Sequence, residues 1–155
     1  MTIQLMPEKT EFKISTTDLE TVYTESEGVK LRLNIQCLDN FKNNTYRDIE
    51  IHFLIVAELR CITMNFFDLN HQNYSIEEQN FTINRIDFWE GNGYHPDSGF
   101  YQVANSEILS NKRSLYDPRN RFDLKHYLIN GNDSHVEIIA SKSKYEYEYN
   151  AMLDF

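Results

Sequence analysis

Three side chains that can carry acid–base or metal chemistry fall in one predicted hairpin. His126 lies in the run KHYLI, and His135 and Glu137 lie in the run SHVEIIAS. Two imidazoles and a carboxylate in one cluster could bind zinc or act as a general acid and base. The solvent-facing side of a hairpin gives the same pattern. We therefore predict a polar cluster here and assign no metal, no cofactor and no catalytic residue.

The NGND segment between the two runs is the strongest hairpin signal in the chain. A turn at Asn130-Gly131 would place the two histidines opposite each other. A turn at Gly131-Asn132, or a four-residue loop over residues 130–133, would place His126 opposite Glu137. Because side chains alternate along a strand, all of these turns predict the same two faces. The apolar face holds Tyr127, Ile129, Val136, Ile138 and Ala140, and the other face holds His126, Leu128, His135, Glu137 and Ile139.

The stretch FWEGNGYHPDSGFY, residues 88–101, combines the only tryptophan of the chain with two turn sequences. Glycine, asparagine and proline favour turns, so one prediction is a long structured loop between strands, with its aromatic rings filling the end of the core. Rigid aromatic rings beside polar groups are typical of binding hot spots, so the other prediction is a recognition loop. The candidate binding residues of this loop are Trp89, Glu90, Tyr94, His95, Asp97 and Tyr101.

The segment SKYEYEYN alternates tyrosine with glutamate, which predicts an edge strand near the end of the chain. Its aromatic face could pack on the sheet while its charged face prevents edge-to-edge association. The alternative is a surface of tyrosines and glutamates that binds the lysines or arginines of a partner. The candidate binding residues are Tyr145, Glu146, Tyr147 and Glu148.

Apolar and polar side chains alternate every second residue through much of the chain. Strands with this pattern must position the candidate site residues named above. Residues 28–38 alternate cleanly, and residues 48–56 repeat the pattern as a central strand. Helical signals are weak, and only residues 103–112 could make two turns. Further strand candidates are residues 59–69, 80–90 and 99–104. We predict an all-β fold: an antiparallel β-sandwich or open barrel of roughly seven to ten strands, with long aromatic loops and little helix.

The length of 155 residues predicts a single β-rich domain, residues 1–155. Residues 1–27 are predicted to be a loose acidic lead-in or an edge hairpin of EFKIS and ETVYT. The mean hydropathy is −0.58 and no apolar run is long enough for a membrane span. The chain does not open with a basic start and an apolar stretch, so we expect a cytoplasmic protein. Cys37 and Cys61 are predicted to be buried free thiols, with a disulfide as the alternative.

The formal charge of −9, from 24 acidic and 15 basic residues, disfavours binding to nucleic acids. The chain lacks the P-loop, dinucleotide-binding, G-x-S-x-G, H-E-x-x-H and EF-hand motifs, so an enzyme is not the favoured class. We expect a non-enzymatic protein-binding module whose partner is a basic protein, as in an immunity or inhibitor-type protein. The alternative is a β-sandwich that binds a carbohydrate or another small ligand. A small hydrolase that uses the His/Glu cluster is the second alternative.

Overall fold

The computed structural model describes residues 2–63, 74–76 and 84–150, and its elements are mostly strands. The strands are β1 Ile3–Pro7, β2 Lys13–Ile14, β3 Glu20–Thr24, β4 Gly28–Gln36, β5 Arg47–Phe53, β6 Val56–Ile62, β7 Tyr74–Ile76, β8 Phe100–Val103, β9 Leu124–Asn130, β10 His135–Ser141 and β11 Tyr145–Tyr149. The α-helices are α1 Leu38–Asn43, α2 Arg85–Asn92 and α3 Glu107–Tyr116, and a 3-10 helix covers Lys142–Lys144. A content of 46% strand and 21% helix confirms the predicted β-rich class.

The strands form two sheets that do not close into a barrel. The six-stranded sheet has the order β6-β10-β9-β8-β1-β7. The five-stranded sheet has the order β11-β5-β4-β2, and β3 also pairs with β4. Among the strand pairs of the described residues, β1 and β7 run parallel and the others antiparallel. The result is sandwich-like, with one face of each sheet on a shared core.

The central strands β4 and β5 supply much of this core by strict alternation. Their buried side chains are Val29, Leu31, Leu33, Ile35, Ile49, Ile51 and Phe53. The strand predicted over residues 48–56 does not run on through Leu54, which is 46% exposed. The chain leaves β5 at Phe53 and enters the other sheet at Val56. One apolar run is therefore divided between two sheets, and this explains why its second half is apolar on both faces.

Four aromatic rings join the two sheets. Phe53 and Tyr145 come from the five-stranded sheet, and Phe100 and Tyr127 come from the six-stranded sheet. The ring centroids lie 5.3 Å apart for Phe53 and Tyr127, 5.4 Å for Tyr127 and Tyr145, and 5.9 Å for Phe100 and Tyr145. Aromatic pairs of this kind add about 0.5–1.5 kcal/mol each beyond the burial of their area. These ring contacts pack the two sheets against each other.

Residues 2–27 contribute strands to both sheets and are not a loose lead-in. β1 lies between β7 and β8 in the six-stranded sheet, and its Leu5 is fully buried. β2 and β3 both pair with β4, with Lys13 opposite Gln36 and Glu20 opposite Arg32. The predicted hairpin of β2 with β3 is therefore wrong. The nine-residue strand β4 is long enough to pair with both of them.

Helix α2 replaces the described part of the strand predicted over residues 80–90. The Asn84 side chain accepts a 2.8 Å hydrogen bond from the N–H of Ile86, and Gly93 ends the helix at φ 79°. An asparagine cap and a closing glycine are helix signals that outweigh the short apolar alternation. The weak helical signal over residues 103–112 corresponds to α3. The strand predicted over residues 59–69 includes the end of β6, and its residues after 63 lie outside the described residues.

Both cysteines are free thiols, and the disulfide alternative is wrong. Cys37 is buried, as predicted, at the end of β4. Cys61 is exposed on β6, which is an edge strand of its sheet among the described strands.

Gly28 at the start of β4 permits a close approach of two backbone segments. Its φ is 79°, and a Cβ at this position would overlap with the carbonyl oxygen of Phe53. We expect Gly28→Ala to lower the free energy of unfolding by at least about 2 kcal/mol, because backbone strain and steric overlap act together. Urea unfolding followed by circular dichroism measures the change.

The matched control is Gly91→Ala in helix α2. Nothing lies within 4 Å of a Cβ at Gly91. Alanine is the better helix former, so this substitution should leave stability unchanged or raise it by up to about 1 kcal/mol. Similar losses of stability for both substitutions would contradict the close approach at Gly28.

Candidate functional site

The segment predicted as a recognition loop, residues 88–101, holds its aromatic rings inside the protein. The exposed fractions of Trp89, Tyr94 and Tyr101 are only 3%, 8% and 3%. The indole N–H of Trp89 donates a 3.3 Å hydrogen bond to the carbonyl oxygen of Glu11. Its ring lies 6.1 Å from that of Phe41. These three rings therefore supply core packing, as the structured-loop prediction expects, and not the exposed contact area that the recognition-loop prediction requires.

The polar groups of the same segment hold its turn in place. The Asp97 N–H donates a 2.8 Å hydrogen bond to Nδ1 of His95, and the Tyr101 hydroxyl donates to the Asp97 carboxylate. Arg85 lies 3.8 Å from the same carboxylate. Burial, and next the positive charge of Lys13, lower the pKa of His95 to about 4. His95 is therefore a neutral hydrogen-bond acceptor near pH 7.

Glu90 is the exposed member of the six residues predicted in this segment, and Asp97 is half-buried. The Glu90 carboxylate lies 2.6 Å from Nζ of Lys42. A sugar-binding site needs an open aromatic face beside its polar groups, and the buried Trp89 ring offers none. The carbohydrate alternative therefore lacks its stacking platform in this segment.

Several carboxylates lie close together on the outer face of the five-stranded sheet. β11 is the edge strand that the sequence predicted, and it pairs with β5. Glu148 lies directly opposite Glu50, and Glu146 lies opposite His52. We define the outward side chains of Asp48, Glu50, Glu146 and Glu148 as the acidic face.

The charge of the acidic face is only partly compensated. Glu50 lies 3.6 Å from Nε of Arg32, and Glu146 lies 3.9 Å from Nδ1 of His52. Within the described residues, Glu148 takes part in no ion pair. Like charges directly opposite each other destabilise a strand pair by about 0.2–1 kcal/mol. The Glu50–Glu148 pair is therefore a local cost to the fold.

A depression of about 140 Å³ lies on the acidic face. It is lined by Glu50, His52, Glu146, Tyr147 and Glu148. The tyrosines of β11 turn mainly inward, and the Tyr147 ring packs edge-on against Phe12 at 5.1 Å. The glutamates predicted on this strand are thus open to a partner, and the depression is wide enough for one ammonium or guanidinium group.

The predicted hairpin is formed by β9 and β10, and its two faces are confirmed. Its register differs from both predicted ones, because His126 lies opposite Ile139. The loop covers residues 131–134, and a 2.8 Å backbone hydrogen bond from its first residue to its last closes it. The partner of His126 differs from each predicted partner by an even number of residues. The two faces of the hairpin are therefore as predicted, while the residue pairing is not.

His126 and Glu137 are in direct contact across the hairpin. Nε2 of His126 lies 2.9 Å from Oε1 of Glu137. This hydrogen bond is the main cause that lowers the pKa of Glu137, and the charge of Arg60 acts in the same direction. Burial lowers the pKa of His135 on the same face. In the ranges that the structure describes, no three His, Cys, Asp or Glu residues are placed to hold a metal ion.

Ser106 is a member of this cluster that the sequence analysis missed. Its Oγ lies 2.6 Å from Nδ1 of His126 and accepts a 3.1 Å hydrogen bond from the N–H of Leu109. A serine followed by an acidic residue and then by the apolar pair Ile108 and Leu109 is a helix-cap signal, and it predicts the bond to Leu109. The contact with His126 arises because α3 packs on the outer face of the six-stranded sheet.

A cavity of about 500 Å³ lies beside these hydrogen bonds. Its polar wall includes Ser106, His126 and Glu137, and its apolar wall includes Ile3, Val103 and Leu128. This volume falls within the range of small-molecule sites, which combine an apolar lining with a few polar groups. We define these six residues as the serine cavity.

Comparison with protein-family models, curated proteins and solved structures finds no match to this chain. No helix of the described residues is both long and apolar enough to cross a membrane. The acidic face and the serine cavity are two candidate sites within the described residues.

Protonation of His95 couples stability to pH. Its pKa is about 4 in the folded protein and about 6.5 in an unfolded chain, so the unfolded state takes up this proton first as the pH falls. Stability from this residue is complete above about pH 6.5 and is lost as the pH falls toward 4, by roughly 1–3 kcal/mol. We expect His95→Asn, whose oxygen can still accept the Asp97 N–H, to lose less stability between pH 7 and pH 4.5.

Urea unfolding of both proteins at the two pH values measures this difference. All other titrating groups are shared by the two proteins, so the difference isolates His95. Parallel loss of stability in both proteins would show that His95 is not buried in its neutral form.

The acidic face predicts a substitution that stabilises the protein. Glu148→Gln removes the repulsion with Glu50 and should raise the free energy of unfolding by about 0.2–1 kcal/mol. The gain should shrink in 1 M salt, where charges are screened within about 3 Å. Asp133→Asn, at an exposed carboxylate in the loop between β9 and β10 of the other sheet, is the control and should be neutral. A loss of stability for Glu148→Gln would contradict the repulsion.

Proposed function

We propose that the protein is a protein-binding module that captures a basic partner on its acidic face, in the manner of an immunity-type inhibitor. The observation that supports this most strongly is the convergence of Glu50, Glu146 and Glu148 on one depression. A lysine or arginine of the partner that enters this depression interacts with three carboxylates at once. The partner thereby adds positive charge where Arg32 compensates only part of the charge of the glutamates.

The repulsion between Glu50 and Glu148 gives binding an energetic advantage. Arg32 compensates Glu50 in part, and Glu148 has no ion-pair partner among the described residues. A single exposed ion pair contributes only about 0–1 kcal/mol. A cation that several carboxylates share, in a depression from which the partner displaces water, gains more because the local dielectric constant falls.

The net charge of the chain supports the same class of partner. A charge of −9 attracts cationic surfaces over a distance and accelerates encounter with them. Proteins that act on nucleic acids carry lysines and arginines at their substrate surface, because they must neutralise phosphates. An acidic module bound to such a surface excludes the substrate, which is how an inhibitor of a basic toxin or nuclease would work.

The test compares two variants of equal net charge. The first replaces the glutamates of the depression, Glu50→Gln, Glu146→Gln and Glu148→Gln. The control replaces three exposed carboxylates elsewhere, Asp18→Asn, Glu25→Gln and Asp133→Asn. Three charges are removed in each case, so both variants change the net charge from −9 to −6.

The wild-type protein serves as bait for cross-linking in source cells, and mass spectrometry identifies the captured partner. Calorimetry at about 0.15 M salt then gives the affinity of each variant for that partner. We expect the first variant to bind at least about tenfold more weakly, and the control to change by less than about threefold. If both variants bind equally weakly, net charge alone explains the loss of affinity and the depression is not the binding site. An acidic partner whose affinity neither variant changes would overturn the proposal.

A further inference from the structure

The hydrogen bonds around His126 determine where its proton lies. Glu137 is ionised near neutral pH, since the bond to His126 lowers its pKa. An ionised carboxylate can only accept, so Nε2 of His126 carries the proton that Glu137 receives at 2.9 Å. In neutral His126 the other ring nitrogen, Nδ1, is then a bare acceptor.

The Ser106 hydroxyl has one direction left for its own proton. Its Oγ accepts the N–H of Leu109, and Nδ1 of His126 lies 2.6 Å away. The hydroxyl therefore donates to the imidazole. Serine, imidazole and carboxylate form one chain in which the serine proton already points at a base that a carboxylate orients, which is the arrangement of an activated nucleophile.

The start of α3 places backbone donors beside the same hydroxyl. α3 is ten residues long, and Glu107 and Ile108 are its first two residues. Helix geometry leaves the N–H groups of these positions without an acceptor inside the helix. Both residues line the same cavity as Ser106. N–H groups and a helix dipole at this end favour an oxyanion that forms next to Oγ.

We propose that Ser106 is the nucleophile of an esterase site in the serine cavity, with His126 as general base and Glu137 as the group that orients it. The substrate class is an uncharged carboxylic ester with an apolar acyl group. Ile3, Val103 and Leu128 offer an apolar wall for that group, whereas the carboxylate of Glu137 repels an acidic one. This site lies on the six-stranded sheet and is independent of the acidic face.

The first half of the reaction forms an acyl-serine. The Ser106 oxygen adds to the ester carbonyl carbon while its proton passes to Nδ1 of His126. The carbonyl oxygen becomes an oxyanion beside the N-terminal N–H groups of α3. The tetrahedral adduct then collapses, the bond to the alcohol oxygen breaks, and the leaving alkoxide takes the proton from Nδ1.

The second half releases the acid with water as the co-reactant. A water molecule gives its proton to Nδ1 of His126 and its oxygen adds to the acyl carbon. Collapse of this adduct breaks the bond to Ser106, and Oγ recovers the proton from the imidazole. The net change is one ester and one water converted to one acid and one alcohol.

A fluorophosphonate probe tests the nucleophile directly, because it phosphonylates activated serines. We expect one adduct on the folded wild-type protein, located at Ser106 by peptide mass spectrometry. His126→Gln keeps the serine and its cap but removes the base, and should slow labelling by at least about 100-fold. Hydrolysis of p-nitrophenyl butyrate should fall in the same order.

Two further variants separate reactivity from folding. Ser106→Asn keeps a residue that caps helices but has no hydroxyl, so it should fold, as circular dichroism will show, and take up no probe. Ser114→Ala removes an exposed serine of α3 outside the cavity and should label like the wild type. An unlabelled Ser106 in folded wild-type protein, or equal labelling in His126→Gln, would reduce Ser106 to a helix cap and overturn the proposal.

Discussion

The contact between the rings of Phe53 and Tyr127 joins the two sheets, and most other features of the molecule depend on it. Because side chains alternate along a strand, an inward Phe53 forces Glu50 and His52 outward on β5. An inward Tyr127 forces His126 outward on β9 in the same way. A slip of one residue in either strand would bury charged or polar groups in an aromatic core and expose the rings. The inward core side chains therefore fix the outward positions of Glu50 and His126 in the two candidate sites.

The two outer faces differ because only one of them is covered near its polar groups. On the five-stranded sheet the glutamates of β11 remain exposed, and their charges stay in water. On the six-stranded sheet α3 packs across β9 and β10 through Leu109 and Ile139. That packing leaves His126 only 5% exposed, so its bonds to Ser106 and Glu137 act in a medium of lower dielectric constant. The same alternation of side chains thus gives an exposed acidic surface on one sheet. On the other sheet it gives a hydrogen-bond chain that is largely buried from solvent.

The faces of the strands could be predicted from the sequence, and the contacts between elements could not. Alternation alone places Glu146 with Glu148, and His126 with Glu137, because parity survives any shift of an even number of residues. The true register was missed because the four-residue loop covers residues 131–134, one position later than the predicted loop over residues 130–133. The burial of Trp89 agrees with the structured-loop prediction, but the strand predicted before that loop was wrong because a capped helix replaces it. Ser106 contacts His126, which lies 20 residues later in the sequence, because α3 packs on the six-stranded sheet. A local sequence pattern does not predict such a contact.

The hydrogen bond that caps α3 also positions the Ser106 hydroxyl in the serine cavity. The bond from the Leu109 N–H holds Oγ in place and occupies one lone pair, so the hydroxyl proton must point elsewhere. Leu109 itself is buried against the sheet, and this fixes the start of the helix over His126. The contacts that keep α3 folded are therefore the ones that align the serine with its base. A partner on the acidic face would sit on the other sheet, across the aromatic core, and would leave this cavity open.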